Sequence, residues 1–164
     1  MNILLLSDSH GHPDCIREAA ELTHPDCILF AGDGLRDLSD AGIPSNTPVY
    51  AVRGNCDAPW DPLTAQYPEE QMLVLGGVRI LLMHGHRAGV KSGPERAAAH
   101  AAALGADVLV FGHTHEVYES FFSPNAGEGA SLLVCNPGSV GKYPHSFGTL
   151  TLRGGHALFG SGTL

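Results

Sequence analysis

Five apolar runs in this 164-residue chain each break off into a short polar motif, and that recurrence constrains the fold more than any other feature. The runs lead into SDSH (7–10), GD (32–33), GN (54–55), HGH (84–86) and GHTH (112–115). The first, Asn2–Leu6, is apolar without alternation, as in a strand covered on both faces. The stretch HPDCIREAAELTH (12–24) then has helical spacing with Pro13 near its start. DCILFAGD (26–33) reads as a second buried strand, GLRDLSDAG (34–42) as a short connecting segment, and TPVYAVRGN (47–55) as a third strand. The opening third is therefore β-α-β-α-β.

Two apolar runs flank Gly76-Gly77 in QMLVLGGVRILLMHGH (71–86), a two-residue hairpin signature. SGPERAAAHAAALG (92–105) carries helix signals: Ser92 as a candidate cap, Pro94 in the first turn, alanine-rich spacing and closing Gly105. DVLVFG (107–112) returns to strand. VYESFF (117–122), ASLLVC (130–135), FGTLTL (147–152) and HALFG (156–160) read as a later set of short antiparallel strands, the last two joined by a tight turn at Gly154-Gly155. The expected fold class is α/β: a four-layer α/β/β/α sandwich of two mixed sheets flanked by helices, formed by residues 1–164 as one domain.

Ligands of open α/β sheets bind beyond the carboxyl ends of the strands. There the chain offers Asp8, His10, Asp33, Asn55, His84, His86, His113 and His115. In extended chain, residues two apart point to one side, so His113 and His115 are expected to lean over one spot. Glycines precede Asp33, Asn55 and His113, which suits close backbone approach at a crowded site. Carboxylate, amide oxygen and imidazole are hard to borderline donors suited to Mn, Fe, Zn, Co or Ni. They are too many for one tetrahedral ion, and two neighbouring dications need a bridging carboxylate, for which Asp33 is the candidate.

Asp8-x-His10, Gly32-Asp33, Gly54-Asn55-Cys56-Asp57, His84-Gly85-His86 and Gly112-His113-Thr114-His115 together resemble the motif series of the calcineurin-like metallophosphoesterases, over residues 1 to about 145. The short chain and its GNCD motif are similar to the small bacterial and archaeal phosphodiesterases of that superfamily. The resemblance implies one metal held by Asp8, His10, Asp33 and His115, and a second held by Asp33, Asn55, His84 and His113. Two divalent ions are thus expected, manganese first, with Fe, Zn, Ni or Co as alternatives. The implied reaction is hydrolysis of small phosphodiesters by a hydroxide bridging the ions, with Asn55, Asp57 and His84 as catalytic residues.

Cys56 stands where many members of the superfamily have a histidine that can protonate the leaving group, and a neutral thiol is a poor substitute. Its plainer reading is a small buried filler. Cys56, His86 and Arg87 are the candidate substrate contacts; Arg53 and Lys142 also lie near motif ends, and NPGSV (136–140) reads as a turn or a pocket wall. The same fold also resembles the retromer scaffold subunit, whose metal site is incomplete, so a non-catalytic, protein-binding module is the competing class. Metal buffering without turnover is a third.

Nine basic against seventeen acidic residues give a formal charge of −8, which opposes a polymeric nucleic acid substrate. Cys15, Cys27, Cys56 and Cys135 have no CxxC spacing and read as reduced thiols. With no basic leader and no long apolar span, a cytoplasmic protein without membrane contact is expected, and edge strands leave room for a homo-oligomer.

Overall fold

The computed structural model describes residues 1–123 and 131–164. The first βαβαβ segment comprises β1 (Asn2–Leu6), α1 (Pro13–Thr23), β2 (Cys27–Phe30), α2 (Leu35–Asp40) and β3 (Val49–Ala51). It is followed by the hairpin β4 (Glu70–Leu75) and β5 (Val78–Met83), then α3 (Glu95–Ala103) and β6 (Val108–Val110). The remaining strands are β7 (Val117–Phe122), β8 (Leu132–Pro137), β9 (Ser146–Arg153) and β10 (His156–Thr163).

Two five-stranded mixed sheets result, ordered β10-β9-β1-β2-β3 and β4-β5-β6-β8-β7. Each has three parallel strands: β1, β2 and β3 in the first, β5, β6 and β8 in the second. The later strands do not form a separate antiparallel set, as their sequence spacing suggested. β8 joins β6 in parallel, with β7 antiparallel at its edge, whereas β9 and β10 return to flank β1. The expected strand ASLLVC begins inside the undescribed residues at Ala130; the described strand starts at Leu132.

The unalternating apolar runs are explained by burial on both faces. Ile3 and Leu5 of β1 meet Ile80, Leu82, Val108 and Val110 between the sheets, while Leu4 and Leu6 face Ile16 and Ala19 of α1. In the second sheet, Leu81, Met83 and Leu109 turn outward onto Ala97, Ala98 and Ala101 of α3. Each fully buried leucine or isoleucine contributes about 1.5–3 kcal/mol, so a polar residue placed mid-strand would be costly and the polar motifs collect at the ends. Ser92 does not cap α3. It closes a short 3-10 turn, Val90–Ser92, and Pro94 occupies the cap position without a side-chain bond. Gly105 follows the helix at a φ of +74°, as its closing position required.

Candidate metal centre

The polar motifs after β1, β2, β3, β5 and β6 converge on one rim of the sandwich. Three overlapping groups of ligand atoms gather there, each with its atoms within 4.8 Å of one another: Asp8, His10 and His115; Asp33, His84 and His113; and His10, Asp33 and Cys56. His10 and Asp33 belong to two groups each, so the three form a connected chain.

The backbone at this rim is strained in a consistent way. Among described residues, seven non-glycine positions have positive φ, and five of them are Asp8, His10, Asp33, His113 and His115. Left-handed backbone costs an L-residue roughly 1–2 kcal/mol, and asparagine, aspartate and histidine tolerate it best. Strain of this kind, held in place by the surrounding fold, marks functional sites. It also corrects the expectation for His113 and His115. They lie in a turn after β6, closed by Thr114 N–H donating to the Gly112 carbonyl at 2.8 Å, and not in extended chain. The turn sends the two rings apart, His113 to His84 and His115 to His10, at 4.9 and 5.0 Å between ring centroids.

In the buried group, His84 Nδ1–H donates to the Ala31 carbonyl at 2.7 Å, leaving Nε2 facing Asn55 Oδ1 at 3.1 Å and Asp33 Oδ2 at 3.2 Å. A neutral imidazole with that tautomer presents a lone pair to two oxygen acceptors, and only a proton or a metal cation closes the arrangement. Burial pushes His84 down, but the bonded Asp33 carboxylate, the charges of Asp8 and Asp33 and the Ala31 carbonyl outweigh it, and its pKa is raised. Burial likewise opposes ionisation of Asp33, yet the contacts with His84 and the Cys56 N–H hold its carboxyl well below the usual range. His113 is pushed down to about 4 by desolvation and by His84, so it is neutral and available as a ligand at neutral pH.

In the other group, Asp8 Oδ2 accepts hydrogen bonds from Ser7 Oγ and from the His113 N–H. Asp8 Oδ1 is buried without a hydrogen-bond partner among the described residues. It lies 3.2 Å from His115 Nε2 and 3.6 Å from His10 Nε2, and those two nitrogens are 3.2 Å apart. A buried carboxylate oxygen facing two imidazole nitrogens fits a divalent cation on its donor set alone.

Two glycines permit this crowding. A Cβ at Gly54 would sit 2.1 Å from Asp33 Oδ1, and one at Gly112 would sit 1.9 Å from Ser7 Oγ and 2.9 Å from Asp8 Oδ2.

Other expected residues fall into distinct positions. Asp57 has both oxygens engaged by backbone: Oδ2 accepts from Asp33 and Gly54, Oδ1 from Gly34 and Leu35, at 2.8–3.0 Å. It anchors the loops that carry Asp33 and Asn55 and so orients both residues. Cys56 is exposed, which overturns its reading as a buried filler. Local desolvation at the thiol and the Asp33 carboxylate push its pKa up to about 11.

His86 is half-buried, 5.4 and 6.1 Å from the His84 and His113 rings, with Nδ1 lacking a partner among the described residues. His86 and Arg87 line a cavity of about 520 Å³ with Glu69, Glu70, Arg96 and His100. Arg87 pairs there with Glu69 at 2.7 Å, and Arg53 holds the same glutamate at 3.1 Å. Lys142 is exposed on the loop after β8.

The residues that brace the rim include two from NPGSV, read as a turn or pocket wall, and Asp37, to which sequence reasoning gave no role. Asn136 Nδ2 donates to the Gly112 carbonyl at 2.9 Å and to Thr114 Oγ1 at 3.0 Å, and Ser139 Oγ donates to the Asp8 carbonyl at 2.7 Å. Asp37 Oδ2 accepts from Ser9 Oγ and the Gly11 N–H at 2.6 and 2.7 Å. Asn136 and Pro137 end β8 and Ser139 follows it, so the NPGSV segment acts on the rim through hydrogen bonds to its backbone.

The family model of the calcineurin-like phosphoesterase superfamily domain matches residues 1–155. The phosphodiesterase YfcE of Escherichia coli K12 is 37% identical over an alignment of 174 residues, covering 92% of this chain and 87% of YfcE. The probable metallophosphoesterase YsnB of Bacillus subtilis is 31% identical over 157 residues, covering 93% of this chain and 85% of YsnB. Among solved structures, wild-type Vps29 of Entamoeba histolytica complexed with zinc superposes with a TM-score of 0.68 at 20% identity, covering 99% of both chains, a likeness of fold. On the family match and these relatives, the chain belongs to the calcineurin-like phosphoesterase superfamily, a metal-dependent family.

Proposed function

We propose that this protein is a metal-dependent phosphodiesterase that hydrolyses small phosphodiesters at a binuclear centre. One ion is assigned to Asp8, His10, Asp33 and His115, the second to Asp33, Asn55, His84 and His113. The observation that carries the reading is Asp33: a buried carboxylate shared by two groups of ligand atoms, one of which includes a histidine nitrogen aimed at oxygens with no proton to spare. When bound, the ions supply Lewis acidity towards the phosphoryl oxygens and lower the pKa of water. The family relationship and the 37% identity to a named phosphodiesterase support a diester substrate.

The chain's own residues prepare the site. Asp57 fixes the loops of Asp33 and Asn55, Ala31 fixes the His84 tautomer, and Asn136 and Ser139 hold the Gly112–Thr114 and Asp8 backbones. His86 and Arg87 on the cavity beside the buried group are assigned to the ester substituent, a volume within the range of small-molecule pockets. Manganese is the first choice among Mn, Fe, Zn, Co and Ni, in keeping with the carboxylate and amide oxygens that stand beside the imidazoles. The four free cysteines support a cytoplasmic setting. No described helix is long and apolar enough to cross a membrane.

The test is hydrolysis of bis(p-nitrophenyl) phosphate beside p-nitrophenyl phosphate by chelator-stripped protein, with and without added Mn²⁺. Metal-restored turnover, faster on the diester, is expected. No turnover of either ester with any of the five metals overturns the reading and favours the non-catalytic, protein-binding class.

A further inference from the structure

We propose that Cys56 is an additional ligand to the cation assigned to Asp8, His10, Asp33 and His115, and that this half of the centre therefore takes a thiophilic dication such as Zn²⁺, Co²⁺ or Fe²⁺. The inference rests on the binuclear reading above and goes beyond it, because no thiolate belongs to that ligand set.

Three observations converge. Cys56 Sγ, a carboxylate oxygen of Asp33 and a ring nitrogen of His10 lie within 4.8 Å of one another. Metal bonds of about 2.0–2.3 Å place ligand atoms on opposite sides of one ion about 4.0–4.6 Å apart. The three atoms need only a small closure to share an ion, which His10, 35% exposed, is free to make. Next, Asn55 Nδ2 donates to Cys56 Sγ at 3.3 Å while Asn55 Oδ1 faces His84 at 3.1 Å. One amide thus points its oxygen at the buried half and a donor at the sulfur, which fixes the sulfur at the junction of the two halves. Finally, the Cys56 N–H donates to Asp33 Oδ1 at 2.7 Å, which ties the cysteine backbone to the shared carboxylate and keeps the side chain beside it.

The chemistry balances without a redox partner. The thiol proton leaves to solvent as the sulfur lone pair is donated to the cation. A soft sulfur donor in place of a water shifts that half away from manganese, while the oxygen- and imidazole-lined buried half keeps its borderline preference. A coordinated thiolate carries no proton, so Cys56 does not protonate the leaving group.

The test is titration of the metal-free protein with Co²⁺, read by absorption. Wild type is expected to develop visible cobalt bands together with a near-ultraviolet thiolate-to-cobalt charge-transfer band. Cys56→Ser is expected to keep the visible bands, lose the near-ultraviolet band and bind Zn²⁺ at least about tenfold more weakly. Its far-ultraviolet dichroism and unfolding midpoint should match wild type, because the side chain is exposed. Cys15→Ser is expected to retain both sets of bands. Visible bands without the charge-transfer band in wild type overturn the assignment of Cys56 and leave the binuclear centre standing. Loss of the charge-transfer band in Cys15→Ser instead also overturns it. No cobalt bands in wild type overturn both.

Discussion

The two halves of the centre are built differently. In the buried half, His84 is fully excluded from solvent and tied to the Ala31 carbonyl at the end of β2, and Asp33 is 2% exposed. The open half shares buried Asp33 and adds buried Asp8, but its two histidines, His10 and His115, are 35% and 28% exposed and ride on loops, as exposed Asn55 does in the other half. The comparison teaches that burial sets what each ligand is for. A ligand locked into the core holds its position whether or not a cation is present, so it also contributes to folding. A ligand on a loop is free to adjust and to exchange its ion. The two halves meet at Asp33 and, through Cys56, at His10.

The strongest way to break this comparison is to remove what the halves share. Asp33→Ala is expected to lower kcat/KM on bis(p-nitrophenyl) phosphate by about a hundred- to thousandfold, the scale of losing one preorganised electrostatic group. It is also expected to abolish tight binding of both ions, whereas Asp8→Asn should spare the buried one; calorimetric metal titration separates the two. Loss of only one binding step in Asp33→Ala would contradict a shared carboxylate.

Stability gives the next largest contrast. His84→Ala leaves a core void and strips the Ala31 carbonyl of its donor, so the metal-free protein should lose about 2–4 kcal/mol. His10→Ala, on an exposed loop, should change stability by less than about 0.5 kcal/mol. Denaturant unfolding measures both, and equal losses would erase the distinction between the halves.

Within the buried half, two histidines are set in opposite senses. The raised pKa of His84 stabilises the metal-free fold below its unfolded value near 6.5, and this contribution is lost as pH rises through the folded value. His113, pushed down to about 4, contributes stability above 6.5 that is lost as pH falls towards 4. Ring-proton titration by NMR should show the two moving apart. A bound cation removes the His84 dependence at high pH, so metal-loaded protein should lose less stability there than metal-free protein.

The far ends of the same strands supply the smallest effect. Asp107 is held below the usual carboxylate range first by its bond to Arg79, and it accepts the Arg79 N–H at 2.8 Å. This pair is substantially exposed, so its ionic part is small, present above the ordinary carboxylate pKa and lost as pH falls below it. Asp107→Asn should lower the melting temperature only slightly at neutral pH and leave hydrolysis unchanged.

The two sheets and the rim were legible because hydrophobic runs buried on both faces cannot carry polar residues, so Asp8, Asp33, His84 and His113 had to stand at strand ends. The hairpin at Gly76-Gly77 was legible from its glycines. What the sequence hid were contacts between distant segments. Ser139 reaches the Asp8 carbonyl across 131 positions, and Asp57 gathers four backbone donors from two loops; neither leaves a periodic trace. The divergence of His113 and His115, which the family resemblance implied, was hidden from strand spacing for a local reason, since alternation describes extended chain and both residues are left-handed. Cys56 misled because composition favours burial for cysteine, whereas its place beside two carboxylates is set by the loop that Asp57 anchors.

The most direct test of the binuclear account is the anomalous difference map of crystals grown from chelator-stripped protein and soaked in Co²⁺ alone. Two peaks are predicted, one on each side of the Asp33 carboxylate, the first bounded by Asp8, His10 and His115, the second by Asn55, His84 and His113. A single peak, or peaks that do not contact Asp33, would contradict it.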